Sequence, residues 1–150
     1  MRVLYTSRKS LTPDDERSFN GQAVTLPDLL AGADFVSLHV PLTEHTRHLI
    51  GKKELAVMRS TAFLINTARG AVIDEAALAE ALATGRPAGA GLDVYEHEPD
   101  IHPGLLRLSN VVLLPHLGSA TAQTRIRMGM MVIDNITAAL SGREPPNRVV

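Results

Sequence analysis

Short apolar runs alternate along the chain with stretches in which apolar side chains recur every three or four positions. Residues 2–6 predict a strand. Residues 34–40 predict a second, stopped by Pro41, which has no amide hydrogen for a central ladder. Residues 61–65, 88–94 and 110–114 read as further strands, rich in β-branched and aliphatic side chains. Between them lie helical patterns. Residues 26–30 open a short helix with Pro27 in its first turn. Residues 52–58 read as helical. Residues 74–84 place Ala76, Leu78, Ala79 and Leu82 on one face, with Gly85 where a C-terminal cap belongs. In the last helix, residues 121–140, the spacing of Ile126, Met130, Ile133 and Ile136 makes a stripe ready to pack. Met128, Met130 and Met131 read as core or interface filler.

Strands that are apolar throughout and separated by helices predict an α/β fold: a doubly wound parallel sheet covered on both faces. In such sheets ligands gather outside the carboxyl ends of the strands, so the residues after each strand carry the chemistry.

Composition narrows the classes. The chain has 150 residues, enough for one domain, and 45% are hydrophobic against 21% charged, which excludes a disordered polymer. Aromatics make up only 3%, so aliphatic side chains must fill the core. The formal net charge of −1 leaves no basic excess for a nucleic-acid backbone. Cysteine is absent, which removes disulfides, thiolate nucleophiles and Cys-bound zinc. The N-terminal apolar run is too short for a signal peptide, and Arg125, Arg127 and Asp134 exclude residues 121–140 as a membrane span, so a cytoplasmic protein is expected. Glu44, His45 and His48 suggest loop polarity, not metal ligation, because only His45 and His48 share a helical face. No metal is expected.

The strand ends present Ser7-Arg8-Lys9, Val40-Pro41-Leu42-Thr43, Asn66-Thr67-Ala68-Arg69-Gly70, the stretch from Asp93 to Pro99, and Pro115-His116-Leu117-Gly118. Arg69, Glu98 and His116 follow consecutive strands and are candidates for one crevice. Singly, each reads equally as a solvated loop charge or a turn residue. Together they make chemical sense: Arg69 offers a planar fork of donors for a carboxylate or carbonyl oxygen, His116 can give a proton near neutral pH, and Glu98 can favour and orient the imidazolium. Such a set suits reduction of a 2-oxo acid if hydride is delivered.

These segments resemble the D-isomer-specific 2-hydroxyacid dehydrogenase family. The likeness lies in Val40-Pro41-Leu42-Thr43 with Thr46 to Ile50, in Phe63 to Gly70, in Gly91-Leu92-Asp93-Val94 with Glu98-Pro99, in Leu114 to Thr121, and in the C-terminal Gly142 to Val150. Within the family it is nearest glyoxylate/hydroxypyruvate reductases. The resemblance implies that Arg69 binds the substrate carboxylate and keto oxygen. It makes Glu98 and His116 the acid–base pair, the histidine protonating the carbonyl as hydride arrives. It places Asp93 near the nicotinamide carboxamide and has Val40, Pro41, Thr67, Ala68, His116 and Gly118 line the cofactor. Glu98 disfavours the formate dehydrogenase branch, which carries glutamine there.

Cofactor choice follows from charge. An acidic residue ending the second strand of a dinucleotide fold would hold the ribose hydroxyls of NAD and repel a 2′-phosphate. Ser7, Arg8 and Lys9 stand there instead, favouring NADP(H) over NAD(H), unless Arg8 and Lys9 are ordinary solvated charges. The chain lacks a Gly-x-Gly-x-x-Gly loop. Residues 1–150 are therefore expected to form the C-terminal part of the NAD(P)-binding domain, a partial Rossmann-like sheet without its first strand, with the substrate domain outside them. Strands 2–6 and 61–65 would then have no neighbour between them. The isolated chain is expected to bind dinucleotide weakly and turn over little, and the full-length protein to be a homodimer acting on a small 2-oxo or 2-hydroxy acid. Two other readings are a non-catalytic dinucleotide-sensing module and an inactive remnant.

Overall fold

The structure, a computed structural model, describes residues 1–149. The chain divides into two compact units, Met1–Pro115 and His116–Val150.

The first unit opens with β1 (Val3–Tyr5), α1 (Pro13–Phe19), β2 (Gly21–Ala23) and α2 (Leu26–Gly32). Strands β1 and β2 pair in parallel as a separate two-stranded sheet. Neither α1 nor β2 is visible in the hydrophobic pattern. Helix α1 buries no residue and is held by local chemistry. Thr12 caps it, its hydroxyl accepting from the Asp15 amide at 3.2 Å, with Pro13 in the first turn. The second helix follows the expected logic, with Thr25 as cap, Pro27 in the first turn and Leu30 buried.

Four further strands follow: β3 (Phe35–Leu38), β4 (Phe63–Asn66), β5 (Gly89–Leu92) and β6 (Val111–Leu113), with α3 (Lys52–Val57) and α4 (Glu75–Ala83) as crossovers. They form one parallel sheet in the order β3-β4-β5-β6. Its register aligns Leu38, Asn66, Leu92 and Leu113 in a row at the carboxyl edge. The four loops after the strands all start from that edge. Strand 61–65 thus corresponds to β4, which has a partner on each side, β3 and β5; the edges of this sheet are β3 and β6. The expectation of a missing neighbour beside residues 61–65 is corrected accordingly.

The core is aliphatic and lies on one face of this sheet. Val36, Leu38 and Leu64 pack with Leu30, Leu55 and Leu78 from the helices. The opposite face is open, contrary to the expected cover on both sides: Phe35 is 69% exposed, Val112 62% and Phe63 41%. Phe35 and Phe63 stack on each other there, ring centroids 5.6 Å apart. The reason is topological. The sheet advances in one direction from β3 to β6, and right-handed crossovers then bring α3 and α4 to the same face. Helix α4 buries Leu78, Ala79 and Leu82 as predicted, but Ala76 faces solvent and Glu75 is buried in its place. Gly85 ends this helix at φ 78°, a left-handed conformation glycine adopts without strain.

The second unit is dominated by α5 (Ala122–Leu140), capped by Thr121, whose hydroxyl accepts from the Thr124 amide at 3.2 Å. Asn135 and Asn147 tie the C-terminal segment back to this helix. The stripe of Ile126, Met130, Ile133 and Ile136 is formed but exposed, as are Met128 and Met131, so the methionines do not fill a core. Among the described residues no helix is long and apolar enough to cross a membrane.

Candidate active site

The carboxyl edge of the four-stranded sheet carries a cleft of about 490 Å³. It is lined by His39, Val40, Pro41 and Leu42 after β3 and by Thr67, Ala68 and Arg69 after β4. This lies within the roughly 300–1,000 Å³ typical of small-molecule sites. Val40, Pro41, Thr67, Ala68 and Arg69 are thus brought together, because β3 and β4 are adjacent and end in register.

Each wall is braced. After β3, the Thr46 hydroxyl donates to the Pro41 carbonyl at 2.6 Å and accepts from the Thr43 amide at 2.8 Å, which fixes the Pro41–Thr43 turn. After β4, the buried Asn66 side chain receives the Ala68 amide at 3.1 Å and donates to the Arg69 carbonyl at 3.0 Å. Arg69 is exposed, and its Nη1 donates to the Ala68 carbonyl at 2.6 Å. Among the described residues it forms no ion pair with a carboxylate.

Gly70 is buried directly against the backbone of the next loop. A Cβ built on it would come within 3.0 Å of the Tyr95 carbonyl carbon and oxygen and the Glu96 nitrogen. That approach ties the Arg69 loop to the loop after β5, which carries Asp93 and Glu98. Asp93 is buried at the head of the loop and its amide donates to the Asn66 carbonyl at 3.0 Å. Glu98 is exposed and its Oε1 accepts from the Tyr95 amide at 3.0 Å. Tyr95 itself is buried, its hydroxyl donating to the Leu114 carbonyl at 2.7 Å. Burial, then the nearby charge of Asp93, holds its phenol above the ordinary value.

A second polar cluster supports the same loops. His48 Nε2 and Glu96 Oε1 lie 2.6 Å apart, and the Glu96 amide donates to the buried Glu75 carboxylate at 2.6 Å. His48 also donates its amide to the Ala71 carbonyl at 2.8 Å and has φ 51°. It joins the loop after β3 to the turn after Arg69. Among the described residues no group of three or more His, Cys, Asp or Glu is arranged to hold a metal.

The remaining predicted residues follow β1 and β6. Ser7, Arg8 and Lys9 are exposed after β1, on the two-stranded sheet, and among the described residues neither cation forms an ion pair. His116 begins the second unit at φ 55°, followed by Leu117 and Gly118, with the Ala120 amide donating to the Leu117 carbonyl at 2.9 Å. Asn66, Gly70, His48 and Glu96 acquire their importance only in the fold. A polar asparagine closing an apolar strand is a signal for Asn66; nothing in the pattern marks Glu96, and His48 stands out only as loop polarity.

The sequence model of D-isomer specific 2-hydroxyacid dehydrogenases, NAD binding domain, matches residues 1–118. The chain is 49% identical to the glyoxylate reductase of Thermococcus litoralis over 149 residues, covering 99% of this chain and 45% of that protein. It is 49% identical over 150 residues to the glyoxylate/hydroxypyruvate reductase B of Pectobacterium carotovorum, covering 99% and 47%. Among solved structures, the NADPH-dependent glyoxylate/hydroxypyruvate reductase of Sinorhizobium meliloti, in complex with NADP and malonate, superposes with a TM-score of 0.87 at 35% identity, over 99% of this chain and 46% of that one. The glyoxylate reductase of Paecilomyes thermophila does so with a TM-score of 0.82 at 45% identity, over 93% and 42%. The chain spans about half the length of these relatives. With its parallel sheet, its edge cleft and this match to the NAD binding domain over residues 1–118, the chain belongs to the D-isomer specific 2-hydroxyacid dehydrogenase family.

Proposed function

We propose that this chain is the dinucleotide-binding part of a reductase that converts a small 2-oxo acid, such as glyoxylate or hydroxypyruvate, to the 2-hydroxy acid. The observation that carries this reading is Arg69: an exposed guanidinium that pairs with no carboxylate among the described residues, on a braced turn in a cleft of otherwise uncharged residues apart from His39. A fork of donors so placed suits a carboxylate and its neighbouring keto oxygen.

The cleft fits a dinucleotide's nicotinamide end in chemistry, with Val40, Pro41 and Ala68 as apolar walls and Thr67 as a hydrogen-bonding group. Bound NADPH or NADH would supply the hydride. In this reading Arg69 holds and orients the substrate, His116 gives the proton to the carbonyl oxygen, and Glu98 orients the imidazole and favours its charged form. Asp93 faces the carboxamide, with the backbone around Gly118 completing the cofactor wall. Ser7, Arg8 and Lys9 contact the 2′-phosphate, so NADP(H) is preferred. Support for that preference is the two exposed cations after β1, which form no ion pair among the described residues, and the NADP complex of the S. meliloti relative. A substrate domain outside these residues, cytoplasmic location and homodimerisation of the whole protein belong to the same proposal.

Two measurements test it. NADPH at about 100 times its dissociation constant should stabilise the chain by about 2.7 kcal/mol; a melting curve unmoved by any nicotinamide dinucleotide overturns the reading. In the full-length protein, His116→Gln should lower kcat for glyoxylate by about 10²–10⁴-fold, and unchanged turnover removes His116 from the chemistry.

A further inference from the structure

Asn66 is the last residue of β4 and only 1% exposed. Asparagine is disfavoured in strands and expensive to bury unpaired. Its backbone already serves the sheet, the carbonyl accepting from the Asp93 amide at 3.0 Å. Its side chain does something else. Oδ1 takes the Ala68 amide at 3.1 Å and Nδ2 donates to the Arg69 carbonyl at 3.0 Å, so both ends of one amide close the turn of residues 67–69. Only a carboxamide has a donor and an acceptor at this separation; aspartate keeps the acceptor and loses the donor. Beyond the turn, Gly70 is wedged against the Tyr95 and Glu96 backbone. The Arg69 guanidinium folds onto the Ala68 carbonyl, a group of the same turn, at 2.6 Å.

We infer that Asn66 is the positioning residue of Arg69: its buried carboxamide, with Gly70 as the second anchor, fixes the turn from which the guanidinium meets an anionic substrate. This rests on the reading of Arg69 as the carboxylate-binding group. Asn66 touches no ligand in this scheme.

The test compares the parent chain with Asn66→Ala, Asn66→Asp and Arg69→Ala, by ¹⁵N relaxation without ligand and by titration with oxalate in saturating NADPH. In Asn66→Ala the amides of residues 67–69 should become mobile and Ala68 should lose protection from hydrogen exchange. In Asn66→Asp, Ala68 stays protected while Arg69 becomes mobile. In both, the oxalate dissociation constant should rise at least tenfold while that of NADPH changes less than twofold, a split that general loosening of the fold would not produce. Unchanged relaxation across residues 67–69 in both variants overturns the inference, as does oxalate affinity within twofold of the parent when Arg69→Ala abolishes it. If Arg69→Ala leaves oxalate binding intact, the carboxylate reading of Arg69 is what fails, while the relaxation data still decide whether Asn66 holds the turn.

Discussion

Replacing Gly70 by alanine adds one methyl group where the fold leaves no room. The three atoms nearest the new Cβ are the Tyr95 carbonyl carbon and oxygen and the Glu96 nitrogen, all within 3.0 Å. They are backbone atoms and cannot swing aside as a side-chain tip would. Nor is that backbone free to retreat. The Tyr95 hydroxyl is bound to the Leu114 carbonyl, its amide to Glu98, and the Glu96 amide to Glu75. Overpacking a well-packed site costs about 1–3 kcal/mol, and three backbone atoms held on several sides argue for the upper end, about 3 kcal/mol. At about 2–4 °C per kcal/mol for a chain of this size, the melting temperature should fall by roughly 6–12 °C. Gly129→Ala in α5 is the control, since a Cβ there meets nothing within 4 Å. It should stabilise by about 0.5–1 kcal/mol, as alanine does over glycine inside a helix. Thermal unfolding followed by far-ultraviolet circular dichroism reads both. A Gly70→Ala melting temperature within about 2 °C of the parent refutes the close approach, since that much strain would have to register.

Two further outcomes are expected. Arg8→Ala combined with Lys9→Ala should weaken NADPH by about tenfold or more while leaving NADH within about twofold, as expected for lost charge-assisted bonds to a phosphate; equal losses for both dinucleotides would show the two cations to be indifferent to the 2′-phosphate. Both tyrosines should titrate above 10.0 in the folded chain, Tyr95 because of burial and Tyr5 chiefly because its hydroxyl donates to Glu16. A raised phenol favours the folded state fully below its unfolded value near 10 and ceases to do so as pH rises through the folded value. Tyr95→Phe should therefore flatten the alkaline loss of stability, and at neutral pH it should destabilise by about 1–3 kcal/mol by depriving the Leu114 carbonyl of its donor. Absorbance titration showing a phenol ionising below 10 in the folded chain would contradict this environment.

What could be read in advance follows from how each element is stabilised. Strands β1, β3, β4, β5 and β6 and helices α2 to α4 announce themselves because burial of apolar side chains imposes a period on the sequence, and α5 shows the same period in a stripe that stays exposed. Helix α1 and strand β2 do not, since α1 is held by Thr12, Asp15 and a proline turn with no buried face. The order of strands escaped periodicity altogether. Residues 61–65 look the same whether at an edge or in the middle, and pairing alone decides that β4 is flanked on both sides. Likewise Ala76 and Glu75 fit the helix of residues 74–84 equally well on paper. Their exchange of places reflects the Glu96 amide, which Glu75 accepts from 21 positions away.

The candidate residues divide in the same way. By itself the amino-acid order determined a parallel α/β domain with its chemistry after the strands, the family, and Arg69, Glu98 and His116 as the groups worth testing, because apolar periodicity and local motifs are properties of neighbours in the chain. The tertiary structure alone decided which groups share a cleft, that Asn66 and Gly70 hold the Arg69 turn, that Glu96 couples to His48 and Glu75, and that one face of the sheet and the stripe of α5 remain exposed. Those features depend on contacts between residues far apart in the chain, where one missing hydrogen or one extra methyl group outweighs any local preference.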